Sequence, residues 1–417
     1  MHSPAPCVQE RLVTAAVLVT IGTLTSAAAL AWLYLLTLHG GYWRTNRWLP
    51  PAGDRAAPSM TLPSVTAVIP ARNEADILPA CLPTLLAQDY EGRFRVVVVD
   101  DDSTDATGKI AAAMSGPHYD VAVVGARPTP PGWAGKVWAM SEGTQAAVSD
   151  YLLFTDADIA YAPGTLGRLV RAATDGRFAI VSQMALLRTS NPPEKLLIPA
   201  FVYFFAQLYP FARVDQPRSR TAAAAGGCML VRADALAAAG GLASIRGARI
   251  DDVALGKLLK GAGGRCWLGV TTDVRSMRPY DRLADIWNMV ARSAYTQLNY
   301  SVARTAAAVL GLAWLYVLPP VAALAGLALL AFGADSVTAG WLAGAGLAGW
   351  LLMAVSYVPI LRLYRLSPLR GPSLPLVAAI YAAMTADSAR RHHRGRGGEW
   401  KGRTIPAAGG SDGAATP

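Results

Sequence analysis

Three stretches of the chain carry no charged residue. Residues 12–38, 305–334 and 336–361 are each longer than the roughly 20 apolar positions that a membrane helix needs. The first is too long for the apolar core of a secretory signal, and Trp32, Tyr34, Tyr42 and Trp43 cluster about its end like an interfacial belt. It reads as a retained anchor. Pro319-Pro320 predicts a kink in the second run, tolerated where freed backbone groups find partners. Gly344, Gly346 and Gly349 predict close helix packing in the third. Two shorter apolar runs fit a different place. Residues 196–212 contain Pro199 and Pro210 and are crowded with Phe201, Tyr203, Phe204, Phe205, Tyr209 and Phe211, which predicts a helix lying in the interface. Residues 371–386 are short for a span and are expected to be interfacial or re-entrant, leaving the tail that follows on the cytoplasmic side.

Between the membrane runs the pattern changes to alternating β and α signals. Strands are predicted over 65–69, 95–99, 119–124, 151–155 and 178–184. Helices are predicted over 76–88, 104–114, 136–149 and 163–174. That order predicts an α/β fold, with a mostly parallel sheet and helices on both faces. The expected organisation is an anchor over 1–40, a linker over 41–63, an α/β domain over 64–304, a C-terminal membrane region over 305–388 and a basic tail over 389–417.

Composition agrees with membrane runs joined to a soluble domain. Of 417 residues 53% are hydrophobic and only 16% charged, against about 25% charged in soluble domains. Disorder is excluded because it needs low hydrophobicity, and a disulfide scaffold because four cysteines are too few; they also show no metal-ligand spacing. The net charge of +10 suggests nucleic acid until it is mapped. Residues 40–55 carry +2, 275–304 carry +3 and 362–403 carry +7, while 56–274 hold 20 basic and 20 acidic side chains. The excess lies beside the membrane runs, so no nucleic-acid partner is expected. The positive-inside rule then places the α/β domain on the cytoplasmic face of an inner membrane, its basic flanks against anionic lipid.

In parallel α/β sheets ligands bind beyond the carboxyl ends of the strands. Three polar clusters fall there: Pro70-Ala-Arg-Asn-Glu74, Asp100-Asp-Asp-Ser-Thr-Asp105 and Asp156-Ala-Asp158. No glycine-rich phosphate loop follows a strand, so a Rossmann dehydrogenase and a P-loop NTPase lose support. Paired carboxylates at a strand exit suit Mg²⁺ or Mn²⁺ shared with substrate phosphates. A solvated turn is the plainer alternative. Asp100 to Asp102 suit a base or ribose, or equally a helix cap. Lys136 opens a helix and suits an anionic phosphate, or simply solvent. Gly226 and Gly227 allow close backbone approach to a ligand, or a tight turn. Asp251 and Asp252 offer a general base, or a helix cap.

Taken in order, Val68-Ile-Pro-Ala-Arg-Asn-Glu74, Val98-Val-Asp-Asp-Asp-Ser-Thr-Asp105, Thr155-Asp-Ala-Asp158, Gly226-Gly-Cys-Met-Leu-Val-Arg232 and Ile250-Asp-Asp252 resemble family 2 glycosyltransferases of the GT-A fold. Pro131-Gly-Trp-Ala-Gly-Lys136 and Trp400-Lys-Gly-Arg403 are similar to membrane-bound lipid glycosyltransferases of the hopanoid-associated and ceramide glucosyltransferase-like groups. The resemblance implies that Pro70, Ala71, Asn73 and Glu74 border the nucleotide. It implies that Asp100 and Asp101 hold uracil or ribose, and that Lys136, Asp156 and Arg403 meet the nucleotide-sugar. Asp156 and Asp158 would form the metal motif, Gly226, Gly227 and Trp400 would meet the acceptor, and Asp252 would be the catalytic base beside Asp251. Arg292 matches the arginine of the family's Gln-x-x-Arg-Trp motif, but Met289 and Ser293 stand where glutamine and tryptophan belong. That loss points to a single transfer rather than polymer synthesis. The implied partners are a nucleotide-sugar donor, taken as a UDP-sugar, a membrane lipid acceptor and the bilayer. A polyprenyl-phosphate acceptor, a nucleotidyltransferase and a non-catalytic membrane scaffold remain open alternatives.

Overall fold

The structure is a computed structural model that describes residues 6–50, 62–116, 120–394, 399–400 and 403–404. The chain divides into two compact units. One is an α/β unit made of Asn46–Arg188, Phe211–Tyr280 and Arg391–Pro417. The other is a helical unit made of Met1–Thr45, Thr189–Pro210 and Asp281–Arg390.

In chain order the elements are α1 (Pro6–Thr37), β1 (Val65–Ala71), α2 (Leu78–Leu86), β2 (Phe94–Asp100), α3 (Thr107–Ala113), β3 (Val121–Gly125), α4 (Gly135–Gln145), β4 (Tyr151–Phe154) and β5 (Ile159–Tyr161). They continue with α5 (Thr165–Asp175), β6 (Phe178–Leu186), α6 (Pro192–Leu208), α7 (Phe211–Val214), β7 (Met229–Arg232), α8 (Ala233–Ala238), α9 (Asp251–Gly261) and β8 (Arg265–Ser276). The last are α10 (Leu283–Gln297), α11 (Val302–Leu312), α12 (Leu318–Ala331), α13 (Ser336–Leu363), α14 (Leu374–His393) and two short strands, β9 (Glu399–Trp400) and β10 (Arg403–Thr404).

The α/β unit is built on an eight-stranded sheet ordered β3-β2-β1-β4-β7-β6-β8-β5. Strands β1 to β4 pair in parallel, as their order in the chain predicts. Val96 to Val99 on β2 are fully buried, which fits a strand covered on both faces. The sheet as a whole is mixed, because β7 runs antiparallel to β4 and β6, and β5 antiparallel to β8. A four-residue strand such as Met229–Arg232, three apolar residues and an arginine, carries no sequence signal of its direction. Helix α3 begins at Thr107 rather than 104, because nearby polar side chains claim the backbone first. Asp100 accepts from Ser103 N at 3.0 Å, Asn73 from Thr104 N at 2.8 Å and Asp105 from Thr107 N at 2.9 Å.

Among the described residues four helices are long and apolar enough to cross a membrane: Ala16–Thr37, Pro192–Val214, Val302–Ala331 and Ser336–Leu363. The last two pack tightly within the helical unit. A Cβ added at Gly326 would lie 2.4 Å from Ala343 N, and one at Gly346 would lie 2.4 Å from Ala323 N, so only glycine lets the two backbones meet. A Cβ at Gly349 would touch Pro319, whereas Gly344 faces open space. The expected irregularity before Pro319 takes the form of a π-helical turn over Ala313–Val317. Trp32 Nε1 donates to the Leu315 carbonyl within that turn at 2.7 Å.

Helix α6 meets the span criterion in length and composition, yet it lies between β6 and β7, whose residues pair directly, Ile180 with Val231 and Ser182 with Met229. A single crossing between paired strands would place them on opposite sides of a bilayer. Within the helical unit α6 is held by hydroxyl groups: Tyr203 OH meets Tyr42 OH at 2.9 Å and Ser356 Oγ at 2.6 Å, and Tyr381 OH donates to Leu197 O at 2.9 Å. Helix α14 is a regular 20-residue helix that does not meet the span criterion.

Candidate active site

The parallel half of the sheet brings the loops after β1, β2 and β4 to one edge, and the first two are laced together. Asn73 N donates to Ser103 Oγ at 3.1 Å, Glu74 N to Thr107 Oγ1 at 2.8 Å and Ala75 N to Asp105 Oδ2 at 3.1 Å. Asn73 and Asp102 hold φ of 51° and 56°, a left-handed geometry that their short polar side chains tolerate. Pro70 and Ala71 are buried at the end of β1. Asp100 is occupied by the loop itself, with one oxygen on Ser103 N and the other against Gly108. Asp101 is buried and its N–H donates to Ala71 O at 2.8 Å, whereas Asp102 is exposed and pairs with Arg72.

Beside this edge a charged cluster forms from residues far apart in the chain. Lys136, in the first turn of α4, places Nζ 2.8 Å from Asp156 Oδ1 and 3.0 Å from Asp251 Oδ2. Asp251 and Asp252 occupy the first turn of α9, where the helix dipole favours carboxylates. Asp252 Oδ2 accepts from Gly226 N at 3.0 Å, and its Oδ1 accepts from Val253 N at 2.7 Å. Gly226 borders the cluster: a Cβ there would lie 3.4 Å from Lys136 Nζ, 3.5 Å from Asp252 Oδ2 and 3.7 Å from Asp156 Oδ2. Gly227 turns instead to the core, where a Cβ would press on Ile159 and Ala185.

Electrostatics separates the roles of these groups. Desolvation in the cluster, then the like charge of Asp251, push Asp252 up to about 7, against the pull of Lys136 and the two backbone N–H groups. Burial alone would lower the Lys136 ammonium, but Asp156 and Asp251, and then Asp252, outweigh it and hold Lys136 above its ordinary value. The site therefore holds a permanent cation beside a carboxyl poised near neutrality.

The two aspartates after β4 face different partners. Asp156 meets Lys136, with its side chain 35% exposed. Asp158 is buried, and its Oδ2 accepts from Ser276 Oγ at 2.9 Å and from Arg278 Nε at 3.0 Å. Arg278 reaches past it and forks onto both oxygens of Glu74, at 2.8 and 3.1 Å. Nothing in the sequence singles out Arg278, because no feature of a basic stretch marks which arginine will bridge two carboxylates. Among the described residues no group of three or more His, Cys, Asp or Glu side chains is placed to hold a metal ion unaided. One open carboxylate, that of Asp156, fits the type of site that combines a single ligand with substrate phosphates.

The remaining candidates are Arg292, Trp400 and Arg403. Arg292 is exposed on α10 and belongs to the helical unit. Trp400 and Arg403 pair across β9 and β10, and their side chains lie outside the described residues.

Comparison with known proteins bears on the fold and the class of the chain. Residues 66–239, from β1 through α8, match the family model described as Glycosyl transferase family 2. Over 124 residues the chain is 38% identical to 4,4'-diaponeurosporenoate glycosyltransferase of Staphylococcus haemolyticus, covering 30% of this chain and 32% of that protein. Over 183 residues it is 33% identical to an N-acetylglucosaminyltransferase of a Rhizobium species, covering 42% of this chain and 39% of that one. These matches span about a third of the length of the curated relatives. Among solved structures, a mannosyltransferase from Pyrobaculum calidifontis in complex with GDP-Man and Mn²⁺ superposes with a TM-score of 0.51 at 19% identity, covering 88% of this chain and 99% of that one. The fold is thus the mixed α/β GT-A arrangement that the order of motifs implied.

Proposed function

We propose that this chain is an inverting glycosyltransferase that moves one sugar from a nucleotide-sugar, taken as a UDP-sugar, to the hydroxyl of a membrane lipid. The observation that carries this reading is the cluster itself: Asp252, held near neutrality, stands beside Lys136 and Asp156 at the carboxyl edge of the sheet. The acceptor oxygen attacks the anomeric carbon and its proton passes to Asp252, while the bond from that carbon to the diphosphate breaks and the nucleoside diphosphate departs. Lys136 stabilises the charge that develops on the leaving phosphates. Asp251 holds Lys136 from the other side.

A divalent cation, Mg²⁺ or Mn²⁺, is proposed at Asp156, where it would supply Lewis-acid neutralisation of the diphosphate. The Mn²⁺ bound with GDP-Man in the Pyrobaculum enzyme supports this. The loops after β1 and β2, with Asn73, Glu74 and Asp101, form the side on which the nucleoside is proposed to rest. A lipid acceptor, of the hopanoid, other polycyclic or sphingoid kind, is supported by the apolar helices and by the likeness of the motifs to lipid glycosyltransferases. The proposed setting is the inner membrane, with the α/β unit on the cytoplasmic side.

The test is a donor screen with radiolabelled nucleotide-sugars and extracted lipid, run on the parent chain and on Asp252→Asn. The variant is expected to lose transfer while binding nucleotide as the parent does. Undiminished turnover in Asp252→Asn would remove Asp252 from the mechanism.

A further inference from the structure

We propose that Arg278 is a resident cation of the acidic edge: its guanidinium occupies Asp158 and Glu74, so that a divalent ion gains Asp158 only by displacing it. Arg278 then sets how tightly metal binds before any nucleotide arrives.

The geometry points this way in three steps. First, both members of Asp156-Ala-Asp158 already have a cation, and each has a different one. Lys136 serves Asp156 at 2.8 Å, and Arg278 serves Asp158 at 3.0 Å. Second, the guanidinium is shared. Nε is spent on Asp158 and Nη2 on the two oxygens of Glu74, a bond between residues 204 positions apart. A planar fork suits such a bridge, and it stays charged at any accessible pH, so it leaves only by competition.

Third, Arg278 is not a loose surface side chain that has found a partner by chance. It lies two residues beyond β8, where the main chain is tied to the same loop. Ile159 pairs with Ser276, and Met277 N donates to Asp158 O at 2.8 Å. The ladder that ends at Ser276 therefore delivers Arg278 to Asp158. Removing its charge would leave Glu74 and Asp158 buried together, with Asp156 near enough for its charge to act on Asp158. A divalent ion then meets no cation on Asp158, while Lys136 still holds Asp156, so Asp158 becomes a carboxylate ligand that the parent chain keeps occupied. The arginine thus withholds Asp158 from metal until substrate supplies other ligands.

This deepens the nucleotide-sugar reading and rests on it only for the role of nucleotide. The test therefore uses Mn²⁺ alone. The full chain in detergent is titrated with Mn²⁺, and bound ion is read from the loss of the free-ion EPR signal. Arg278→Gln is expected to bind Mn²⁺ at least tenfold more tightly than the parent. Adding Asp158→Asn to Arg278→Gln is expected to return affinity to the parent level. Arg278→Lys, which keeps a charge but cannot fork across both carboxylates, is expected to fall between the two and serves if the glutamine variant fails to fold. Equal or weaker Mn²⁺ binding in both folded Arg278 variants overturns the proposal. So does a gain that persists when Asp158 is also changed, because the ion would then have gone elsewhere. Absence of sugar transfer by the parent chain, with these binding results intact, would count against the proposed reaction and leave the role of Arg278 standing.

Discussion

At the scale of single residues, the site is a contest over one proton. Desolvation and Asp251 raise Asp252 to about 7, while Lys136 and the N–H groups of Val253 and Gly226 pull it down. A base works only when deprotonated, so transfer is expected to rise with pH up to about 7 and then level, as a pH profile of kcat/KM will show. Lys136→Met removes the cation that holds Asp252 down. Its midpoint is expected to move to higher pH, with kcat lower by about 10²–10³-fold, the scale of losing one electrostatic stabiliser. A profile that keeps its midpoint in Lys136→Met would break the link between the two groups. Gly226→Ala tests the space they share. The methyl would meet only ordinary contacts of 3.4–3.7 Å, so the chain is expected to fold, yet it points into the volume between Lys136, Asp156 and Asp252. Unfolding temperature near the parent's with transfer lost is the expected pair of results. Much of this was legible in the sequence, because aspartates after a strand and a lysine and an aspartate pair opening helices advertise chemistry. Arg278 was not, because its partners are brought to it by the ladder between β5 and β8 and by a loop from the start of the domain.

At the scale of elements, periodicity located the strands of the parallel half and the apolar runs. It could not tell an in-plane helix from a span. Helix α6 has the length and hydropathy of a span, and what separates it from one is the pairing of β6 with β7 on either side of it. That is a long-range fact no local window contains. Ser190→Cys and Gln216→Cys, placed at either end of the excursion, are therefore expected to react with an impermeant thiol reagent from the same side of sealed vesicles. Labelling from opposite sides would make α6 a true crossing. The hydroxyls that hold α6 within the helical unit offer a second check. Tyr203→Phe removes a bridge between Tyr42 and Ser356, while Ser356 keeps its bond to Met353 O. The cost is expected to be about 1 kcal/mol or less, in line with interhelical hydrogen bonds, read as a lower unfolding temperature in detergent. The antiparallel β7 was illegible for a related reason: three apolar residues and an arginine fit a strand of either direction, and only the neighbours decide.

At the scale of the whole molecule, the charge of +10 becomes a matter of sidedness once the crossings are counted. With α6 returning to its own side, the candidate spans are Ala16–Thr37, Val302–Ala331 and Ser336–Leu363. Successive spans alternate sides, so the α/β unit and the segment after α13 share one side, and the short connection between α12 and α13 lies on the other. That connection carries Asp335 and no basic residue, whereas residues 362–403 hold nine Lys or Arg against two acidic side chains. The bias follows the positive-inside rule, which counts Lys and Arg near the ends of spans. The α/β unit is therefore expected in the cytoplasm, with the connection near Gly333 outside. Fusions decide the matter. Green fluorescent protein joined after Arg394 is expected to fluoresce, and alkaline phosphatase inserted at Gly333 is expected to be active. An active phosphatase after Arg394 would mean that α14 crosses or that the whole arrangement is inverted. A dark phosphatase at Gly333 picks out inversion, and an active one picks out a crossing by α14.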